Sequence, residues 1–252
     1  MNKNINEKLK RAYWFMEQVY PANWQTRWGR TPYMKSFAQQ SDVNKFIKSK
    51  GKFESVPGHV WACIGFWMQL RQACPSLDKL IDSEEVYERL WVHDIGETYQ
   101  GDISYAVKIY TSLEEGKSEE RSDFIKLTKG LSKRVRQRLL RWHDEFEKKE
   151  SLGLPLEAMI TRWVDSLEGD HFALTFGNSL KEYSDTIEKI VKKRSAERAK
   201  AIIDYLFKKA KGVKESKNLY EKAIGEVGEV MRFHTRLIRK KGIKLDLSEL
   251  GF

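Results

Sequence analysis

The chain has 252 residues, 40% of them hydrophobic and 33% charged, enough for one sizeable core with at most a small appended lobe. Its longest apolar run, Val60 to Leu70, is broken by Gly65 and Gln69 and falls short of the roughly 20 residues a bilayer span requires; the first residues, Met1 to Lys8, hold no apolar leader segment, so a cytoplasmic protein without membrane association is expected. The formal charge is +10, but residues 181–252 hold 19 Lys and Arg against 11 Asp and Glu, so most of the excess sits in the C-terminal part, where a basic surface attracts polyanions or is simply solvated.

In chain order, Leu9, Ala12, Tyr13, Met16 and Val19 recur at helical spacing and Pro21 follows as a stop, which predicts a helix over 5–19. Residues 23–53 are aromatic and basic, with Trp24, Trp28, Tyr33, Phe37 and Phe46 among Arg27, Arg30, Lys35 and Lys45. That composition suits a lid or insertion, or a subunit contact in a homo-oligomer. Ser55 is placed as an N-cap with Pro57 in the first turn of a helix that runs to about Ala73 and stops before Pro75. Cys63 and Cys74 have neither CxxC spacing nor a neighbouring His cluster, so reduced, inert thiols are expected.

Asp82 with Glu85 three residues on resembles a capping box opening a helix with Val86, Leu90, Trp91 and Ile95, which sets His93 and Glu97 at i, i+4 on one face; Gly101 and Asp102 mark its exit. Further helices are predicted over 119–128, 133–149, around Asp165, over 181–209 and over roughly 216–240. No strand-like alternation, GxGxxG or GxxxxGK[ST] is found, which excludes a nucleotide-binding α/β fold and predicts an all-α protein.

The dipeptide His93-Asp94 offers one nitrogen and one oxygen to a single divalent ion, in an apolar setting with Glu97 one turn away. His59 and Asp165 also sit in apolar helical surroundings and are the natural additional ligands. Singly, each has a plainer explanation: a satisfied core histidine, or an Asp paired with Arg162 on a helix surface. Two His and two Asp form a shell suited to Mn²⁺, Co²⁺, Fe²⁺, Ni²⁺ or Zn²⁺, with Mg²⁺ also admissible. An ion there polarises a phosphoryl oxygen and acidifies water, and the chain has no GxSxG and no Cys beside a His to do so otherwise. A second dipeptide, His143-Asp144, lies in the charge-dense stretch Arg141-Trp142-His143-Asp144-Glu145-Phe146-Glu147 and reads as a solvated helix face; His171 and His234 read as structural or surface residues.

Four ordered motifs carry a resemblance: Glu54-Ser55-Val56 to His59, His93-Asp94 to Glu97 and Gly101-Asp102, Trp142-His143 to Phe146-Glu147, and Val164-Asp165 to Leu167-Glu168. Together they resemble the HD-domain phosphohydrolases, in particular their 5'-deoxynucleotidase-like branch, over about Glu54 to Glu168. The resemblance implies an all-α HD core with His59, His93, Asp94 and Asp165 as metal ligands, Glu97 as the acid/base or water-positioning carboxylate and Asp102 as a second acid near the substrate. It implies Arg27 as a phosphate clamp and Trp28 as a packing surface for the sugar. Two departures stand out: Gly58 replaces an acidic residue usual before the first ligand histidine, and the stretch between Arg27-Trp28 and His59 is expanded.

The expected organisation is an HD core over 1–180, with 23–53 as lid or insertion, and a basic helical extension over 181–252 packed on it. The expected function is removal of the 5'-phosphate from (deoxy)nucleoside monophosphates with one divalent metal ion. A deoxynucleoside triphosphate triphosphohydrolase is the alternative within the fold. A nucleic-acid-binding protein with a vestigial core is the alternative outside it, disfavoured because all four ligand positions are intact.

Overall fold

The computed structural model describes residues 54–99, 115–148, 150–151, 153–213 and 216–252, together with Arg11, Trp14, Glu17, Gln18, Ala22, Arg27 and Met34. The described residues are helical with no β-strand. None of their helices is long and apolar enough to cross a membrane.

The first described helix, α1, spans Val56–Ala73; Ser55 caps it as expected, its Oγ accepting the Gly58 N–H at 3.1 Å. Gly58 lies tight on that cap, since a Cβ there would stand 3.3 Å from Ser55 Oγ. Pro75 ends the run and opens the short α2, Pro75–Asp78. The next helix, α3, spans Ser83–Val92 and is capped by Asp82, whose Oδ1 accepts the N–H groups of Glu84 and Glu85 at 3.0 and 3.2 Å.

The helix expected to carry both His93 and Glu97 stops at Val92. His93 and Asp94 form a turn, Asp94 at φ −104°, ψ 9°, and Ile95–Thr98 wind into a 3-10 turn in which the Glu97 N–H bonds the Asp94 carbonyl at 3.0 Å. Gly96 accounts for the change. Glycine weakens an α-helix interior, and here it lets the chain approach α4, Glu115–Leu127, so closely that a Cβ would lie 2.8 Å from Glu120 Cγ and 3.1 Å from its carbonyl oxygen.

The described chain divides into two compact units, one of Met1–Val60 with Trp91–Glu147, the other of Trp61–Leu90 with Lys148–Phe252. In the first, α4 and α5, Lys133–Phe146, close a core of Val92, Ile95, Phe124, Leu127, Leu139 and Trp142, with Trp14, Leu131, Val135 and Leu140 packed against it. Thr128 Oγ1 donates to the Phe124 carbonyl at 2.8 Å and ends α4. Gly130, in the turn that follows, lies under Trp14, where a Cβ would stand 2.3 Å from the indole.

In the second unit, α6, Leu156–Phe176, is buried on nearly all sides from Leu156 to Gly169 and forms its axis. The segment predicted as one helix over 181–209 is three pieces: α7, Ser184–Val191, a π segment, Lys192–Ala196, and α8, Glu197–Gly212. Ser195 of the π segment donates to the Asp170 carboxylate on α6, which also meets His234 Nε2 at 3.3 Å. His234 is thus structural, and His171 is exposed. The last long helix, α9, Lys217–Lys240, packs on α8 and on α2, where the carboxylate of Glu226 accepts the Ser76 and Leu77 N–H groups at 3.0 and 2.9 Å. Cys63 and Cys74 are buried and form no disulfide, and burial pushes the Cys74 thiol up to about 12, so it stays protonated and inert.

Candidate metal centre

His59 occupies the first turn of α1 because Ser55 and Pro57 start the helix just before it, while His93 and Asp94 are delivered by the turn that ends α3. Within the first unit these three side chains converge. His59 Nε2 and His93 Nε2 are 3.4 Å apart, His93 Nε2 lies 3.2 Å from Asp94 Oδ1, and His59 Nε2 lies 3.7 Å from Asp94 Oδ2. The rings meet edge to face at 65°, and all three residues are buried.

The 3.4 and 3.2 Å spacings fit a common ion, and the 3.7 Å one, to the other carboxylate oxygen, lies just beyond. Donors each about 2.1 Å from one cation at right or tetrahedral angles stand about 3.0–3.4 Å from one another. Two Nε2 atoms and a carboxylate brought this close away from water form a donor set that a cation could satisfy, since each ring nitrogen can present its lone pair and a buried carboxylate calls for a counter-charge.

A protein cation adjoins the group: Arg27 Nη1 donates to Asp94 Oδ2 at 3.2 Å, and its backbone N–H bonds the Glu54 carbonyl at 3.0 Å. Glu97, buried, follows in the 3-10 turn. Two neighbours carry roles that the sequence left unassigned. Glu54 is buried and brings a carboxylate oxygen within 4.8 Å of a His59 ring nitrogen, the kind of acidic partner that orients a ligand histidine and that Gly58 lacks. Phe146 of α5 packs on the His93 ring at 5.0 Å between centroids. Both belong to motifs visible in the sequence, but only the folded chain sets them against the histidines.

His143 corrects an expectation. Its side chain is buried rather than solvated and stacks on Phe124 at 4.6 Å, because α5 turns Leu139, Trp142 and His143 inward together. Burial lowers its pKa, Glu147 and Asp144 opposing, so the ring is held neutral; the weaker pull of Asp94 is felt there too. Asp144 does face outward and pairs with Arg121 at 2.6 Å.

Asp165 belongs to the second unit. Its Oδ2 accepts hydrogen bonds from Arg194 Nη2 at 2.5 Å and Arg198 Nη1 at 3.1 Å. Burial and the like charge of Arg194 pull Arg198 down to about 9, more than Asp165 restores. Arg162, the partner that the plainer reading offered Asp165, turns its guanidinium to the carbonyl oxygens of Lys148 and Glu150 at 2.6 and 3.4 Å. Trp28 and Asp102 lie outside the described residues.

The HD-domain family matches residues 44–206, more than half of the chain, beginning within the aromatic stretch and running into α8. No curated protein matches it by sequence. Among solved structures it is similar to a predicted metal-dependent phosphohydrolase from Magnetospirillum magnetotacticum MS-1, with a TM-score of 0.57, 16% identity and coverage of 95% of this chain and 100% of that one. At that identity the likeness concerns the fold, an all-α bundle. On the extent of the family match, the chain belongs to the HD-domain family.

Proposed function

We propose that the protein is a metal-dependent phosphohydrolase that removes the 5'-phosphate from (deoxy)nucleoside monophosphates. The observation that carries the reading is the convergence of His59 Nε2, His93 Nε2 and the Asp94 carboxylate within 3.2–3.7 Å in a buried setting. Asp165 completes the ligand set on the strength of its motif. The likeness in fold to a structure described as a predicted metal-dependent phosphohydrolase points the same way.

A divalent ion held there supplies Lewis acidity toward a phosphoryl oxygen and lowers the pKa of water. The chain's own residues do the rest. Arg27 presents a guanidinium fork, suited to two phosphoryl oxygens, at the Asp94 edge of the centre. Glu97, a buried carboxylate three residues past Asp94, accepts the proton that the attacking water gives up. The family resemblance alone assigns Trp28 to the sugar and Asp102 as a second acid.

The deciding experiment incubates purified protein with nucleoside mono-, di- and triphosphates and Mn²⁺, Co²⁺, Ni²⁺, Zn²⁺ or Mg²⁺ in turn. Inorganic phosphate from monophosphates is the expected product, and tripolyphosphate or pyrophosphate from triphosphates would instead assign the triphosphohydrolase. Asp94→Ala should lose bound metal and turnover together with helical content retained; turnover that survives without bound metal overturns the reading.

A further inference from the structure

Two guanidinium groups, those of Arg194 and Arg198, are drawn to one stretch of α6. Arg194 comes from the π segment and Arg198 from the first turn of α8, and both reach the same oxygen of Asp165. Arg198 is further fixed by bonds to the Arg162 carbonyl and to Ser166 Oγ.

Holding the π segment to α6 does not require two arginines on one carboxylate oxygen. Ser195 already ties the segment to Asp170, and a buried cation pair is a costly way to gain stability. Such an arrangement suits an anion site instead. Two preorganised forks, their side chains 20% and 15% exposed, can be reached by a small ion from solvent, and π segments recur where a helix has been reshaped for function.

We propose that Arg194 and Arg198 are a phosphate-binding pair, and that Asp165 is the anion they hold when no phosphate is present. Asp165 and a phosphate then compete for the same two guanidinium groups. Identifying that phosphate as the substrate's rests on the phosphohydrolase reading above; the anion site itself does not.

The test uses the full chain stripped of metal with EDTA and inorganic phosphate as probe, followed by calorimetry. Asp165→Asn removes the competing charge and should bind phosphate at least about tenfold more tightly than the wild type, and Arg194→Gln on that background should abolish the gain. Asp165→Asn that retains its helical circular dichroism but binds phosphate no more tightly overturns the proposal. Should Asp165→Asn not fold, the wild type decides. Phosphate should raise its Tm above that in chloride of equal ionic strength, and Arg194→Gln should lose that increment; an increment equal in both proteins assigns the arginines to structure alone and overturns the proposal. Because no metal is present, this result is independent of Mn²⁺ binding by wild type against His93→Ala, which tests the metal centre by itself.

Discussion

Arg27 Nη1 and Asp94 Oδ2 stand 3.2 Å apart in the interior of the first unit, so a protein cation occupies one edge of a carboxylate that the proposed metal centre would also use. A metal ion bound there would compete with Arg27 for that oxygen. Replacing Arg27 by Met should therefore tighten Mn²⁺ binding by several-fold, about 1 kcal/mol, while raising KM for the phosphorylated substrate. Calorimetric titration with Mn²⁺ and steady-state kinetics read the two effects separately; weaker Mn²⁺ binding with unchanged KM would show that Arg27 supports the centre rather than competing for it.

Glu54 tests whether His59 relies on a carboxylate outside the ligand set. Glu54→Gln keeps the shape and removes the charge, and the expected loss is about 10–100-fold in metal affinity with little change in Tm. An affinity equal to wild type would remove Glu54 from the site.

Gly96→Ala should be costly although the residue touches no ligand. A methyl group there meets the backbone oxygen of Glu120 at 3.1 Å as well as its side chain, and the 3-10 turn that carries Glu97 must move. A loss of about 1–3 kcal/mol is expected in urea unfolding, with turnover falling further than stability at temperatures where the variant is still folded. A variant as stable as wild type would mean that the turn and α4 separate freely.

His143 makes stability depend on pH. Unfolded, its imidazole takes up a proton near the ordinary value of 6.5; folded, burial delays that to lower pH. Below about 6.5 the unfolded chain binds the additional proton, so this contribution is complete at neutral pH and is lost as the solution is acidified. Calorimetric Tm measured from pH 7.5 to 5.5 should fall less steeply in His143→Phe than in wild type, and parallel curves would show that the ring titrates alike in both states.

Much of the fold is legible in the sequence because its signals are local. Ser55 and Asp82 cap the helices predicted for them, and Pro75 separates segments where expected, since capping and proline geometry act over a few residues. His143 and the segment after residue 181 are different. Charge density reads as solvent exposure, yet α5 buries His143 because its neighbours Leu139 and Trp142 must face the core, and helical periodicity over 181–209 does not reveal a π turn whose residues are held by Asp165 and Asp170 on α6.

The candidate centre divides in the same way. Residue type and order point to His59, His93, Asp94 and Asp165 as candidate ligands, because imidazole nitrogens and carboxylate oxygens in an apolar setting suit a divalent ion, and of these His59, His93 and Asp94 meet within the first unit. Their approach to within 3.2–3.7 Å came from elsewhere, from the early stop of α3 and the close seat of Gly96 on α4. The neighbours of these donors, Arg27 beside Asp94, Glu54 near His59 and Phe146 on His93, are likewise products of packing. Helical periodicity records which side of a helix is apolar, whereas which side chain lies against which depends on contacts between residues far apart in the chain, and those exist only once the core has closed.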